Sequence, residues 1–227
     1  MVLACVEPGH IAKMNTSDAL IIFARLPRPG EVKTRLGHSL GMERAAVIYR
    51  EFAGHAFGLG NDCLGQGVSV YLFYDPLGEE SAIRKWVSHP FKFFQQQGEN
   101  LGYRMQHAFN TTFCDGCVRS MIIGTDVPEL DSGTITDAFH ALRSCDIVLG
   151  PSSDGGYYLL GMNDPTKDVF DDIAWSTHTV FADTIARIKQ LGLAYHALPV
   201  LADIDTEDDY KELLIRRTTA ASNKVRS

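Results

Sequence analysis

Four cations stand within eleven residues, Arg25-Leu26-Pro27-Arg28-Pro29-Gly30-Glu31-Val32-Lys33-Thr34-Arg35, in a chain whose formal net charge is −7. Arginine can hold a phosphate through two parallel hydrogen bonds, and lysine adds a compact charge. Pro27, Pro29 and Gly30 stiffen and turn the stretch, which lowers the cost of presenting those charges. The chemistry this suits is gripping a di- or triphosphate; a solvated basic loop is the bland alternative. No Walker loop is present, and no GxGxxG follows the apolar run before Arg25.

Three acidic stretches could complement those cations. Thr125-Asp126-Val127-Pro128 follows the apolar run Ser120–Gly124, which aims a carboxylate outward from a strand's carboxyl end. Mg²⁺ takes oxygen ligands and is held by one or two carboxylates together with substrate phosphates, so Asp126 suits a metal–phosphate site, although a turn or cap Asp is equally common. In Asp154-Gly155-Gly156 the glycines allow a backbone to approach a ligand or to adopt positive φ, and Asp154 could orient a hydroxyl or amine; a tight turn between strands explains the same residues. Asp203-Ile204-Asp205-Thr206-Glu207-Asp208-Asp209 crowds carboxylates that repel unless a cation or a helix N-terminus stabilises them. Asp205 or Thr206 can cap the helix that follows, and Asp203 and Asp205 remain candidates for a second metal ligand. Trp175-Ser176-Thr177 either lines an acceptor pocket or caps the next helix.

These residues need a frame that sets them at strand ends. Ala19–Ala24 (ALIIFA), Val68–Tyr74, Phe91–Gln95, Ser120–Gly124, Asp146–Leu149, Tyr157–Leu160 and Tyr195–Leu198 read as strands, with helical spacing over Met42–Phe57, Glu79–Val87, Leu101–Phe113, Asp131–Arg143, Thr179–Leu191 and Thr206–Arg217. The alternation predicts one Rossmann-like α/β domain over 18–217, with a mainly parallel central sheet, helices on both faces, and ligands outside the carboxyl ends of the strands. Residues 1–17 read as an irregular leader, with Met14 as an alternative start, and 218–227 as a polar tail.

Composition limits the classes. At 45% hydrophobic and 22% charged, the 227 residues describe a globular protein. Its acidic balance argues against a nucleic-acid binder, and no apolar run approaches the ~20 residues of a membrane span. Five cysteines without framework spacing fit a reducing cytoplasm, and Cys114/Cys117 lacks the second pair of a structural zinc site. The eight histidines form no HxH or HxxxH pair.

Six motifs occur in order: Phe23-Ala24-Arg25-x-Pro27-x-Pro29-Gly30-x-x-Lys33-Thr34-Arg35-Leu36, Leu101-Gly102-x-Arg104-Met105, Gly124-Thr125-Asp126-x-Pro128, Gly150-Pro151-x-x-Asp154-Gly155-Gly156-Tyr157-Tyr158, Trp175-Ser176-Thr177 and Asp203-Ile204-Asp205-Thr206. Together they resemble the radical-SAM/selenodomain-associated transferases, a glycosyltransferase-labelled family within the GT-A nucleotide-diphospho-sugar transferase superfamily. More distantly the pattern is similar to molybdopterin and phospholactate guanylyltransferases. The resemblance implies a GT-A domain whose nucleotide is bound by Arg25, Gly30, Lys33, Arg35 and Asp126, with Gln97-Gly98 as a base-reading stretch. It also implies Mg²⁺ (or Mn²⁺) on Asp126 and Asp205, with Asp203 as the rival ligand.

Two reactions suit these residues. In nucleotidyl transfer, a small phosphorylated metabolite attacks the α-phosphorus of a nucleoside triphosphate while Lys33 and Arg35 stabilise the departing pyrophosphate. In glycosyl transfer, a nucleotide-sugar is the donor and Asp154 is the catalytic base, beside an acceptor site of Gly155, Gly156, Trp175 and Ser176. The cationic loop favours the first slightly. A nucleotide-binding module without catalysis is the third reading.

Overall fold

Asp18–Arg25 forms β1 in the interior of the sheet, and its residues divide strictly between two cores. Leu20, Ile22 and Ala24 point to one face, among Ala46, Tyr49 and Ala53; Ala19 and Ile21 point to the other, among Met105, Ala108 and Phe109. That two-sided burial is why the run is continuously apolar rather than alternating. The computed structural model describes residues 18–224, so the expected leader 1–17 and the end of the expected tail lie outside the described residues.

The other elements follow in order: α1 Thr34–Leu40, α2 Met42–Gly65, β2 Ser69–Asp75, α3 Glu80–Val87, β3 Lys92–Gln95, α4 Leu101–Cys114, β4 Arg119–Ile123, α5 Ser132–Ala141, β5 Ile147–Pro151, β6 Tyr157–Met162, a 3₁₀ turn Lys167–Phe170, α6 Val180–Gln190, β7 Tyr195–Ala197 and α7 Glu207–Lys224. The sheet order is β3-β2-β1-β4-β6-β5-β7. All neighbouring pairs run parallel except β6, which is antiparallel to both β4 and β5. α2, α3 and α5 supply buried residues to one face, α4 and α6 to the other. The expected single α/β domain with a mainly parallel sheet is the fold observed.

Three elements differ from the sequence expectation. Residues Thr34–Leu40 are a short helix rather than the end of a loop. α2 runs on past Phe57 to Gly65 with Gly58 and Gly60 inside it; a side chain on Gly60 would collide with Ile22 and Phe91, so the glycine lets helix and sheet close up. α7 continues past Arg217 to Lys224, so the first part of the expected tail is helical.

A third, smaller core of Leu36, Ala45, Ile48, Phe52, Ile204 and Leu213 joins α1, α2 and α7. Fully burying Ile204 and Leu213 favours this docking by roughly 1.5–3 kcal/mol per side chain. It folds the end of the chain back beside the first loop.

Candidate functional site

Above the carboxyl ends of β1 and β4 and the start of β6 lies a cleft of about 670 Å³. Its centre is Lys33. The residue has φ 46° and ψ 46°, and its carbonyl accepts from Gly37 N–H to begin α1. A non-glycine residue in this left-handed region is strained, and such strain persists where surrounding contacts over-determine it. Here the contacts are ionic: Nζ lies 2.7 Å from Asp126 Oδ1 and 2.8 Å from Asp205 Oδ1, with only 3% of the Lys33 side chain exposed. Burial alone would lower the ammonium pKa, but the two carboxylates outweigh it and hold it above the ordinary lysine range. Lys33 therefore stays cationic.

Each carboxylate has its own anchor. Asp126 follows Thr125 at the end of β4, and its carbonyl accepts from Ile204 N–H at 3.1 Å, which ties the β4 loop to the segment before α7. Asp205 is fixed by a capping box. Asp209 Oδ2 accepts from Thr206 N–H (2.7 Å) and Asp205 N–H (3.1 Å), while Thr206 Oγ1 accepts from Asp209 N–H. Burial would raise the Asp209 carboxyl, but these hydrogen bonds hold it below the usual range. Thr206, not Asp205, caps the helix, which leaves the Asp205 carboxylate to face Lys33.

The remaining cations split. Arg35 is largely exposed, with its guanidinium 3.7 Å from Asp205 Oδ2. Arg25 and Arg104 both reach Asp75 Oδ2, at 3.1 and 3.4 Å, and Arg104 Nε donates to Gly98 O. Arg28 pairs with Glu79 at 2.7 Å and ties the first loop to the next one. Tyr49 Oη accepts from Arg25 N–H at 2.8 Å and hydrogen-bonds Thr125; burial raises its pKa. Tyr49 therefore spans the loops after β1 and β4, a role hidden in the sequence because its spacing also fits the apolar face of α2. Arg104 belongs to the Leu101–Met105 motif, whose residues carry no role until Asp75 is seen opposite them.

Of the expected site residues, Arg25, Lys33, Arg35, Asp126, Ser176 and Asp205 line the cleft; Gly30, Gln97, Gly98, Asp154, Gly155, Gly156, Trp175 and Asp203 do not. Gly30 forms an exposed turn at φ 80°. Gln96 lines the cleft instead of Gln97, and Gly98 packs at φ 136° where a side chain would strike Tyr103 and Arg104. Asn100 caps α4 by accepting from Tyr103 N–H.

Asp154 sits in the hairpin between β5 and β6, where Oδ1 accepts from Gly156 N–H (2.8 Å) and Ser152 Oγ (2.5 Å). The glycines serve chain packing. A side chain on Gly155 would collide with the His178 carbonyl, and Phe181 N–H donates to Gly155 O. Asp203 accepts from Ser153 Oγ at 3.2 Å, and burial, then Asp154, raises its carboxyl above the usual range. Trp175 packs on Gly102 of α4, with a ring centroid 6.3 Å from that of Phe170.

Asp126 and Asp205 each turn one carboxylate oxygen to the Lys33 ammonium. Among the described residues no third acidic, histidine or cysteine side chain completes a metal-holding group. Such a pair fits Mg²⁺ or Mn²⁺ completed by waters and phosphate oxygens, and does not fit zinc.

The sequence profile of the family described as "uncharacterized protein conserved in bacteria (DUF2064)" matches residues 52–177. No curated protein matches the chain. Among solved structures, the chain is 32% identical to a candidate nucleotide-diphospho-sugar transferase of Desulfovibrio desulfuricans G20, covering 83% of this chain and 82% of that one with a TM-score of 0.76. Its fold also matches a CMP:2-keto-3-deoxy-manno-octonic acid synthetase complexed with CTP (11% identity, 91% and 99% covered, TM-score 0.57). A third match is Rv0371c of Mycobacterium tuberculosis H37Rv complexed with manganese (15% identity, 88% and 98% covered, TM-score 0.54). Among the described residues no helix is long and apolar enough to cross a membrane.

Proposed function

The chain belongs to the DUF2064 family, and from that premise we propose that it is a divalent-metal-dependent, nucleotide-using transferase that moves a nucleotidyl group from a nucleoside triphosphate to a small acceptor. One observation carries the reading: three charged residues from distant segments, Lys33, Asp126 and Asp205, meet within 2.8 Å contacts at the strand ends. Solvated surface charges have no reason to converge so, and a half-built oxygen site beside cations is what a metal-bound polyphosphate requires.

A divalent cation held by Asp126 and Asp205 would neutralise phosphate oxygens. With that cation in place the Lys33 ammonium would turn to a phosphate oxygen, and Arg35, nearly free in solvent beside it, can close on the outer phosphates. Arg25 and Arg104, both drawn to Asp75, form a second cationic group lining the same cleft. The acceptor oxygen bonds to the α-phosphorus as the bond to pyrophosphate breaks, and the negative charge that develops on the leaving group falls among these cations.

Glycosyl transfer from a nucleotide-sugar is the second reading, favoured by the 32% identical relative. It would use the same metal pair. Asp154 is a poor base for it, because it lies outside the cleft and its carboxylate is engaged by its own turn.

The test is incubation with α-labelled triphosphates, Mg²⁺ and a panel of phosphorylated metabolites. Release of pyrophosphate with labelling of one acceptor is expected. Stabilisation against heat by nucleotide-sugars but not by triphosphates, each with Mg²⁺, would transfer the assignment to glycosyl transfer.

A further inference from the structure

The charges around Lys33 already balance. Its ammonium lies 2.7 Å from Asp126 and 2.8 Å from Asp205, and the Arg35 guanidinium lies 3.7 Å from the second oxygen of Asp205. Two carboxylates thus face two cations. Lys33 is held there through its backbone as well: it sits at φ 46° directly before α1, its carbonyl accepts from Gly37 N–H, and the neighbouring Val32 is buried. The Ile204 N–H donated to Asp126 O keeps the two aspartate segments together. Because the carboxylates outweigh burial and raise the lysine pKa, the ammonium keeps its charge at neutral pH.

A divalent cation reaching Asp126 and Asp205 alone would need the two oxygens that Lys33 uses. Taking them would leave an ammonium without partners, on a side chain 3% exposed, next to a new double charge. Breaking a buried ion pair on one side is strongly unfavourable for that reason. A polyphosphate alone fares no better, since it brings negative charge against two carboxylates. Together the balance changes. Lys33, Arg35, Asp126 and Asp205 line one cleft, so phosphate oxygens arriving with the cation offer the ammonium new acceptors within the same space.

We propose that Lys33 is a resident competitor for the metal position: it keeps a lone divalent cation off Asp126 and Asp205 and yields to one that arrives with a polyphosphate. The proposal rests on the metal-dependent transferase reading and adds a rule of entry to it. Metal and polyphosphate then raise each other's affinity by the same factor, because linkage between two ligands is reciprocal.

The experiment is equilibrium dialysis of the full chain against Mn²⁺, with and without inorganic tripolyphosphate, bound metal being the excess on the protein side. Lys33→Asn and Lys33→Gly are the variants, since both residues tolerate the left-handed backbone at this position. Wild-type protein is expected to bind Mn²⁺ alone weakly, and each variant on the order of 10–100-fold more tightly, the usual span of a coupling between sites. Adding Asp126→Asn to Lys33→Asn is expected to remove that gain. Tripolyphosphate is expected to raise the Mn²⁺ affinity of the wild type by a factor at least about tenfold larger than that of the variants.

Variants that bind lone Mn²⁺ no more tightly than the wild type, a gain that survives Asp126→Asn, or an equal response to tripolyphosphate would each overturn the proposal. Should both variants unfold, the wild type decides: tight uptake of Mn²⁺ without tripolyphosphate overturns it, and uptake only with tripolyphosphate upholds it. Pyrophosphate release from triphosphates reports separately on the transferase reading. Release without tighter Mn²⁺ uptake in the variants would sink the competitor and keep the transferase, and tighter uptake without release would do the reverse.

Discussion

Around Lys33 and at the 152–156 hairpin, the chain uses the same ingredients to opposite ends. In the first region, carboxylates from the ends of β4 and the β7–α7 connection face away from their own backbone and meet a lysine 172 residues distant from Asp205. In the second, Asp154 turns inward to its own neighbours, and two glycines let one backbone rest on another. An aspartate free of local hydrogen bonds is available to a ligand; one that closes a turn is already employed. Motif density does not separate the two cases, but hydrogen-bond partners do.

The comparison can be broken by mutation. Asp126→Ala or Asp205→Ala should lower turnover about 10²–10³-fold by removing transition-state charge stabilisation; steady-state rates of pyrophosphate release check this, and wild-type turnover in both would end the claim for the first region. Gly155→Ala should cost about 3 kcal/mol in urea unfolding, since it combines positive φ with a backbone collision. A cost below about 0.5 kcal/mol, the range of an ordinary surface change, would show the hairpin is free to move.

Asp209→Ala should destabilise by about 1 kcal/mol, the usual worth of a lost cap. Because hydrogen bonds depress the folded-state pKa of Asp209, its contribution is present above the ordinary carboxylate pKa and is lost as pH falls through the lowered value. The variant's stability should therefore fall less steeply on acidification than the wild type's; parallel curves would refute the cap. Asp154→Asn should change turnover least, by under about threefold, whereas a catalytic base would lose 10²-fold or more. That last result would erase the contrast between the regions.

Much of the frame was legible in the residues. β1 and β4 announce themselves as unbroken apolar runs because both of their faces are covered, and the placement of Lys33, Arg35 and Asp126 follows from where those runs stop. What escaped had two meanings in sequence. Tyr49 fits a helix's apolar face and also carries the hydroxyl that joins two loops. Gly58 and Gly60 look like breaks in α2, though Gly60 marks the closest approach of helix and sheet. Asp203 and Asp205 are equivalent in sequence, and only their partners separate them: Asp203 accepts from Ser153 Oγ, whereas Asp205 meets Lys33. Asp75 becomes informative only once β1 and β2 pair in register, Arg25 opposite Asp75.

The claim that Asp126 and Asp205 act as one cation-holding unit for a bound polyphosphate is tested most directly by electron paramagnetic resonance of Mn²⁺ titrated with triphosphate and protein. The account predicts a protein-bound Mn²⁺–triphosphate signal in the wild type that disappears in Asp126→Ala and in Asp205→Ala, with both variants still folded. A signal of wild-type strength in either variant would contradict it.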